Sequence, residues 1–529
     1  MKQFVKKNWG FSILLVAFAV YSTIYIYQTS FVFHGQRYFV LFDDAMISMR
    51  YAHNLARGYG LVWNPGEYVE GFTNLLWVVY MSLFHLLPIP ASKVSLFIQV
   101  SGALFLGASL FFVRRIGEEI SGSHLVGLLA VVMTAFYYPL VFWSELGMEV
   151  SVLVLILSGA AWWAIRMMKT GRFSPWLWIL MGISTLIRMD MAVPFLILLG
   201  FLVVFDPQNR KRHLLWGAGS FVFFLAGQTL FRVLYYGDPL PNTYYLKMAG
   251  YPIYQRVARG LYVLVKLIWN MNWILFLLPF IVLLFKLDRP TALLALVFLG
   301  QVAYSVYVGG DAWEHKGGAN RYISTAIPLY FVLFAYAADI LRQALLRLRE
   351  RMSGGMHRLS QFGLVGLVIF SLVNFNALLS PTDLRRWLLV APPLFTAGNE
   401  EYAKEGVILN EITRPGARLA VIAAGSIPYF SDRYALDLLG KSDAYIAHLK
   451  PNLQPGLAGL VDYRPGHDKW DYDYTIGKLK PDVIIHLWGD TSMIRAQLDS
   501  EYVWVEIEGY PFYLLKDSPY IQWDRVPSN

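Results

Sequence analysis

Long apolar segments repeated along the chain constrain its fold more than any other feature of the sequence. A stretch of about 20 apolar residues can cross the hydrocarbon core of a bilayer as a helix. Hydrophobic residues make up 56% of the 529 positions, so most of the apolar surface must face lipid or neighbouring helices. The apolar segments lie near residues 9–33, 73–88, 92–113, 124–143, 149–167, 175–187, 191–205, 213–236, 260–285, 291–308, 322–341 and 361–379. The sequence therefore predicts a polytopic α-helical membrane protein with about 11 to 13 spans.

Basic residues lie mostly in short loops between these segments. Lys2, Lys6 and Lys7 precede the first segment, which is too long for a signal-peptide core and is read as an uncleaved span. Because short basic loops stay in the cytoplasm, this pattern predicts a cytoplasmic N-terminus. It also predicts that residues 34–72 form the first outer loop. The net charge of +9 arises from the same loops and does not indicate a nucleic-acid partner.

The composition changes after Ser380. Residues 1–380 carry the predicted spans, whereas residues 381–529 are polar and are predicted to lie outside the membrane as a small α/β domain. Four β-type runs begin near Arg418, Pro481, Tyr502 and Tyr510, with helices predicted at 399–412 and 491–499. This domain could simply pack over the membrane core, or its turn at 424–426 could hold a phosphate. The chain has no Cys, which excludes disulfides, thiolate chemistry and cysteine-type zinc sites.

One polar stretch, from Phe42 to Gly71, stands between two strongly apolar segments and begins with the acids Asp43 and Asp44. Acids at a membrane edge are energetically costly and usually functional. The alternative is helix capping, because residues 45–57 are predicted as a helix stopped by Gly58 and Asp is a good N-cap. Capping needs only one carboxylate. The two roles are compatible, since a helix N-terminus also attracts phosphate.

The other predicted outer loops and one short helix pair add further polar residues that could bind a substrate. Cations could hold a phosphate, an Asp could act as general base, and aromatic faces suit sugar rings. This chemistry suits a lipid-phosphate-linked sugar at the headgroup level. The candidate binding residues are Arg50, Asn54, Asn64, Glu70, Glu149, Arg188, Asp190, Tyr244, Tyr245, Lys247, Asp311, His315 and Arg321.

Several of these candidates have a simpler explanation. Arg188 and Asp190 could pair with each other inside a thin part of the bundle, and Lys247 could be an interface anchor. His315 could join neighbouring acids in holding a divalent metal, or it could be a solvated loop residue. No ligand spacing decides whether the protein uses a metal.

At these motifs the chain resembles the GT-C superfamily of polyprenyl-phosphate-dependent glycosyltransferases. It is more closely similar to the mycobacterial terminal β-(1→2)-arabinofuranosyltransferase family. The paired acids of the first outer loop are the most specific of these motifs. The resemblance runs through Asp43-Asp-Ala-Met-Ile-Ser-Met-Arg, Gly60-Leu-Val-Trp-Asn-Pro-Gly, Val69-Glu-Gly-Phe-Thr-Asn, Gly147-Met-Glu, Leu240-Pro-Asn-Thr-Tyr-Tyr-Leu-Lys, Val308-Gly-Gly-Asp, Ala424-Gly-Ser-Ile-Pro-Tyr, Asp437-Leu-Leu-Gly and Pro465-Gly-His.

The resemblance implies an enzyme of the bacterial plasma membrane, with its active site on the extracytoplasmic side. Asp43 or Asp44 would be the catalytic carboxylate, with Asp43 preferred, and Tyr244, Lys247, Asp311 and Arg321 would line the donor site. The donor would be a polyprenyl-phosphate sugar, with arabinofuranose expected. The acceptor would be an envelope glycan or a surface protein.

Two alternatives to this function remain. The enzyme could use another lipid-linked sugar to modify lipid A or O-antigen. The chain could also be a transporter of lipid-linked sugars, although the internal repeats that are common in transporters are not found.

Overall fold

The computed structural model describes residues 2–284, 286–314, 318–347, 354–453, 456, 459 and 463–527. Contacts divide the chain into two compact units, each made of segments distant in sequence. Unit 1 comprises Met1–Gln28, Gln99–Gly227 and Arg256–Pro393, and unit 2 comprises Thr29–Ile98, Gln228–Gln255 and Leu394–Asn529. These units differ from the predicted division after residue 380, because residues 29–98 and 228–255 pack with the C-terminal residues.

Within the described residues, all the regular secondary structure of unit 1 is helical. Its helices follow the apolar segments, and three of the helices extend into segments of unit 2. In chain order the helices are Lys2–Gln28, Ala91–Ser121, His124–Ala135, Tyr138–Glu145, Val150–Thr170, Trp176–Ile187, Met189–Met191, Ala192–Phe205, Arg210–His213, Leu214–Ala218, Gly219–Tyr236, Ile253–Asn270, Trp273–Leu284, Arg289–Val308, Arg321–Arg347, Gly354–Ala377 and Pro381–Trp387.

The described helices confirm the predicted polytopic membrane fold. Six of them are long and apolar enough to cross a membrane, or up to nine if each of three sharply bent pairs counts as one span. Three shorter apolar helices, Leu75–His85, Trp176–Ile187 and Met189–Phe205, do not pass this test. By length and composition the described helices therefore account for six to nine of the about 11 to 13 spans that the sequence predicts.

Unit 2 contains shorter helices and all the strands that the structure describes. Two strands, β1 (Ser30–Phe33) and β2 (Gln36–Phe39), form an antiparallel hairpin. The remaining strands are β3 (Arg418–Val421), β4 (Tyr434–Asp437), β5 (Val483–Ile484), β6 (Tyr502–Ile507) and β7 (Tyr510–Leu515). The helices are Asp43–Ala56, Leu75–His85, Asn242–Lys247, Thr396–Ile412, Ser426–Ser431, Ala444–His448, Asp473–Lys478, Ser492–Ile494, Arg495–Glu501 and Trp523–Arg525.

Five of these strands form one mixed sheet in the order β4-β3-β5-β7-β6. β3 pairs in parallel with β4 and β5, while β7 pairs antiparallel with β5 and β6. A core cluster that includes Ala420, Ile484, Leu498 and Tyr502 packs on it. The sheet therefore contains the four runs predicted as strands. β4 was not predicted, because its four residues are too short to show a pattern.

The helix Asp43–Ala56 carries the paired acids and is mostly buried. Both acids lie in its first turn, where the positive end of the helix dipole favours negative charge. The helix ends at Ala56 with Arg57 as its C-cap, after which Gly58 takes a left-handed φ of 83°. Local sequence therefore sets both ends of the segment that positions the two carboxylates.

Candidate active site

Asp43 is buried, and its carboxylate is held by backbone donors from the sheet region of unit 2. Its Oδ1 accepts a hydrogen bond from the backbone N–H of Ser426 at 2.8 Å. Gly425 allows this close approach, because a Cβ at that position would collide with the backbone oxygen of Asp43 and lie 2.8 Å from Cβ of Met46. Burial raises the pKa of Asp43, with Asp44 acting in the same direction, while Lys441 and the backbone donors oppose the shift.

The capping explanation for the paired acids is wrong in its simple form. The N-cap residue is Phe42, and it makes no side-chain capping hydrogen bond. Asp43 is already the first helical residue, and its described acceptor contact goes to Ser426, far along the chain. The local sequence could not reveal this partner.

Lys441 is the buried cation of this cluster. Its Nζ lies 3.4 Å from Oδ1 of Asp44. Burial lowers the pKa of Lys441, but the charges of Asp44, Asp43 and Asp437 outweigh it and raise the pKa above its ordinary value. The charges of three carboxylates therefore act on this one ammonium group.

Asp437 orders the loop that carries Lys441. Its two carboxylate oxygens accept hydrogen bonds from the backbone N–H groups of Leu439, Gly440 and Ser442 at 2.7–3.1 Å. Burial raises the pKa of Asp437 to about 6, although Lys441 opposes the shift. Because Asp437 ends β4, the sheet places this loop beside the helix that begins at Asp43.

Lys247 and His467 lie beside the same loop. The side-chain amide of Asn242 donates to the backbone oxygens of Gly440 and Lys441 at 2.9 and 3.0 Å, which ties the helix Asn242–Lys247 to it. A Cβ on Gly466 would lie 2.9 Å from Cε of Lys247. Burial lowers the pKa of His467 to about 3, and the charge of Lys441 acts in the same direction. His467 is therefore neutral, and the positive charges here come from lysines.

Three predicted binding residues of the first loop make contacts within the protein. Arg50 donates to the backbone oxygens of Trp63 and Arg433 and pairs with Asp432 at 3.0 Å. Asn54 donates to the backbone oxygens of Val62 and Trp63. Asn64 exchanges hydrogen bonds with the backbone of Ala435. Arg50 and Asn64 therefore hold the loop against β4 and the residues that enter it, whereas Asn54 ties the loop to itself.

Glu70, Tyr244 and Tyr245 occupy different environments. Glu70 is buried and accepts a hydrogen bond from Nε of Arg232 at 2.7 Å. The hydroxyl of Tyr245 donates to Asp238 at 2.7 Å, and its ring stacks on His448. Tyr244 is 42% exposed, so its ring face could meet a ligand.

Unit 1 brings three predicted residues together in a separate buried group. Nη2 of Arg188 donates to Oδ2 of Asp190 at 2.9 Å, and Nε donates to Oδ1 in a bidentate pair. Nη1 reaches Oε1 of Glu149 at 3.3 Å, and Nη2 also donates to the hydroxyl of Thr325. Arg188 and Asp190 therefore pair with each other, which was the alternative to a role in substrate binding.

Asp311 and Arg321 form a second buried pair in unit 1. Nε of Arg321 lies 2.8 Å from Oδ2 of Asp311, and Nη2 donates to Oδ1 at 3.1 Å. The guanidinium groups of Arg188 and Arg321 both lie over the ring of Tyr322, at 5.3 and 5.6 Å. His315 lies outside the described residues.

Sequence reasoning assigned no role to several polar residues of unit 2. Asp437 and His467 fell within motifs quoted for the family resemblance, but Lys441 did not. The acids Glu401 and Glu405 and the imidazole of His486 form a further group, and the charge of Asp43 acts on both Glu405 and His486. In the sequence, the only sign of this group was the four-residue spacing of Glu401 and Glu405, which puts both acids on one face of a helix.

The architecture is that of the GT-C fold. Among solved structures, ArnT from Cupriavidus metallidurans in the apo state aligns with a TM-score of 0.57, covering 96% of this chain and 97% of its own at 12% identity. The same protein bound to undecaprenyl phosphate aligns with a TM-score of 0.57, covering 96% and 98% at 11% identity.

An archaeal protein and one domain family also match. The Archaeoglobus fulgidus oligosaccharyltransferase, tethered with an acceptor peptide, aligns with a TM-score of 0.54 at 12% identity, covering 100% of this chain and 76% of its own. A family described as a domain of unknown function (DUF8728) matches residues 396–521. No curated protein matches the chain.

Proposed function

We propose that this chain is an integral-membrane glycosyltransferase that takes its sugar from a polyprenyl-phosphate donor. The observation that carries the proposal is the Asp43 cluster. A buried carboxylate at a helix N-terminus is fixed by the N–H of Ser426 and lies within the field of Lys441. The GT-C fold adds support, since ArnT has been solved with undecaprenyl phosphate bound.

The proposed reaction assigns one task to each group. The Asp43 carboxylate takes the proton from an acceptor hydroxyl, whose oxygen forms a bond to the anomeric carbon of the sugar. The bond between that carbon and the phosphate oxygen breaks, and its electron pair leaves with the polyprenyl phosphate. Lys441 and Lys247 supply positive charge for the leaving phosphate. Asp44 holds Lys441 in position.

Arabinofuranose is the proposed sugar, and it rests on the motif resemblance alone. The acceptor is proposed to be an envelope glycan or a surface protein. The proposed location is the bacterial plasma membrane, with the Asp43 cluster and residues 381–529 outside the cytoplasm, and the basic loops support this orientation. Transfer of another lipid-linked sugar is the second candidate, favoured by the nearly full-length alignment with ArnT.

The test uses the full chain in lipid nanodiscs. Synthetic polyprenyl-phospho-arabinofuranose and an arabinan oligosaccharide are supplied, and sugar transfer is followed by mass spectrometry. Wild type is compared with Asp43→Asn and with Asp490→Asn, an exposed acid of the same unit. We expect transfer by wild type and Asp490→Asn, and a loss of about 10²–10⁴-fold in Asp43→Asn.

A panel of other polyprenyl-phosphate sugars tests whether the donor carries arabinofuranose or another sugar. Transfer only from a donor with another sugar would contradict arabinofuranose as the donor sugar, but it would still support a polyprenyl-phosphate-dependent glycosyltransferase. No transfer from any donor, together with movement of the lipid-linked sugar across a liposome bilayer, would contradict the enzyme and favour a transporter.

A further inference from the structure

Unit 2 contains a group of three metal-ligating side chains to which the proposed reaction assigns no role. Glu401, Glu405 and His486 each offer one ligand atom, and these atoms all lie within 4.8 Å of one another. Bonds from a metal to nitrogen or carboxylate oxygen are about 2.0–2.2 Å long, so two ligand atoms of one ion lie at most about 4.4 Å apart. A small rotation of the exposed Glu401 side chain would bring all three atoms onto one ion.

The fold brings these residues together from two elements. Glu401 and Glu405 are four residues apart on the helix Thr396–Ile412, so they lie on the same helical face. His486 follows β5, the central strand of the five-stranded sheet. Both elements are well packed, with Ile408, Leu409, Val483 and Ile484 buried.

Glu405 provides the independent observation that points to a ligand. Its side chain is fully buried, and no described residue donates a hydrogen bond to its Oε2 atom. Its other oxygen, Oε1, lies 3.1 Å from Nε2 of His486, which is itself one of the three ligating groups. A buried carboxylate with an oxygen that lacks a donor is costly unless a cation compensates it.

We infer that Glu401, Glu405 and His486 bind a divalent transition-metal ion. Imidazole nitrogen suits Zn²⁺ and carboxylate oxygen suits both Zn²⁺ and Mn²⁺, whereas Mg²⁺ and Ca²⁺ prefer oxygen ligands throughout. Three protein ligands leave at least one coordination position for water or for an oxygen of a substrate. Glu401 is exposed, so this open position is accessible from the side where Glu401 lies.

The ion would add positive charge close to the proposed base. The charge of Asp43 acts on both Glu405 and His486. A cation held by these two residues would therefore act electrostatically on Asp43 in turn. If the proposed function holds, an oxygen of the donor phosphate is a fitting ligand for the open position. Binding of the metal itself does not depend on that function, so its test needs no sugar donor.

The experiment measures metal binding to the purified full chain. After dialysis against a chelator, Mn²⁺ is titrated into the protein and the free ion is followed by electron paramagnetic resonance, with Zn²⁺ as competitor. Wild type should bind one Mn²⁺ that Zn²⁺ displaces. Glu401→Gln and His486→Asn should each weaken binding by at least about 10-fold.

Glu400→Gln is the matched control. Glu400 neighbours Glu401 on the same helix but pairs with Lys404 at 2.7 Å, so its loss should leave the Mn²⁺ affinity unchanged. Because Glu401 is exposed, Glu401→Gln should fold even if changes at the buried positions do not. Zn²⁺ should also raise the apparent melting temperature of wild type and Glu400→Gln more than that of Glu401→Gln.

Two results would overturn the inference. Wild type that binds no Mn²⁺ or Zn²⁺ would mean that Glu405 and His486 form only a buried pair. Binding of equal affinity in wild type, Glu401→Gln and His486→Asn would mean that the ion sits on other residues.

Discussion

Asp43 and Asp437 of unit 2 and Asp190 and Asp311 of unit 1 are all buried, but they are compensated differently. In unit 1, Asp190 and Asp311 each face an arginine through two contacts, at distances down to 2.8 Å for Asp311. In unit 2, the charges of Asp43, Asp44 and Asp437 all act on the ammonium group of Lys441, which lies 3.4 Å from Oδ1 of Asp44.

This difference separates two uses of buried charge. Planar guanidinium groups fix carboxylates bidentately, so the unit 1 pairs are suited to holding helices in place. Asp43 and Asp437, which share the field of one lysine, have perturbed pKa values, which is typical of groups that exchange protons or bind charged ligands. Damage to the unit 1 pairs should therefore reduce stability, whereas damage to the unit 2 cluster should reduce activity.

The largest expected effect is on activity, and it comes from Asp43→Asn. The amide oxygen can still accept from the N–H of Ser426, so the fold should be kept, but the group can no longer accept a proton. We expect the transfer rate to fall about 10²–10⁴-fold with little change in apparent melting temperature in detergent. Mass spectrometry of the product and a thermal unfolding scan measure the two quantities.

If Asp43→Asn lowered the melting temperature as well as the transfer rate, Asp43 would have a structural role. The proposed difference between stabilising acids in unit 1 and catalytic acids in unit 2 would then be wrong. Full activity in Asp43→Asn, with loss in Asp44→Asn, would instead move the base to the neighbouring carboxylate.

The opposite outcome is expected in unit 1, where Arg188→Met leaves Asp190 and Glu149 buried without their cation. Breaking a buried ion pair on one side typically costs about 3–5 kcal/mol, so the apparent melting temperature should fall markedly. Lys404→Met, which breaks a more exposed pair with Glu400, is the control and should cost at most about 1 kcal/mol. A stable Arg188→Met variant that has lost only transfer activity would contradict the structural role.

A smaller effect should follow from Gly425→Ala, which tests the geometry of the unit 2 cluster without changing its charge. The added Cβ would collide with the backbone of Asp43 and push the Ser426 N–H away from the carboxylate. Misplacing a catalytic group by about 1 Å can cost about 10²-fold in rate. Gly398→Ala is the control, because nothing lies within 4 Å of a Cβ there. Equal rates in both variants would mean that the hydrogen bond from Ser426 does not matter for transfer.

The sequence predicted the membrane fold well because each span carries its own signal in apolar length. The helix of the paired acids was also predictable, since Gly58 marks its end within the local sequence. The four β-type runs of the C-terminal region were also predicted, because each run shows its pattern in its own residues. β4 was not predicted, because its four residues are too few to show an alternation of apolar and polar side chains.

The partners of the acids could not be predicted, because they depend on contacts between distant segments. Asp43 meets Ser426 at a separation of 383 residues, and Asp44 meets Lys441 at 397. Nothing near Lys441 in the sequence distinguishes it from an ordinary loop lysine. In unit 1, the pairing of Arg188 with Asp190 was considered from the sequence, because those two residues are only two positions apart.

The smallest expected effect is a shift in pH dependence, and its sign differs between two variants. The proposed base must be deprotonated, so kcat/KM should fall as the pH drops through the raised pKa of Asp43. Lys441 lowers that pKa, so Lys441→Gln should move the acid limb of the profile to higher pH. Asp44 raises it, so Asp44→Asn should move the limb to lower pH. Profiles of kcat/KM against pH for both variants measure these shifts. If both limbs moved in the same direction, or neither moved, Asp43 would not be the group whose protonation limits transfer.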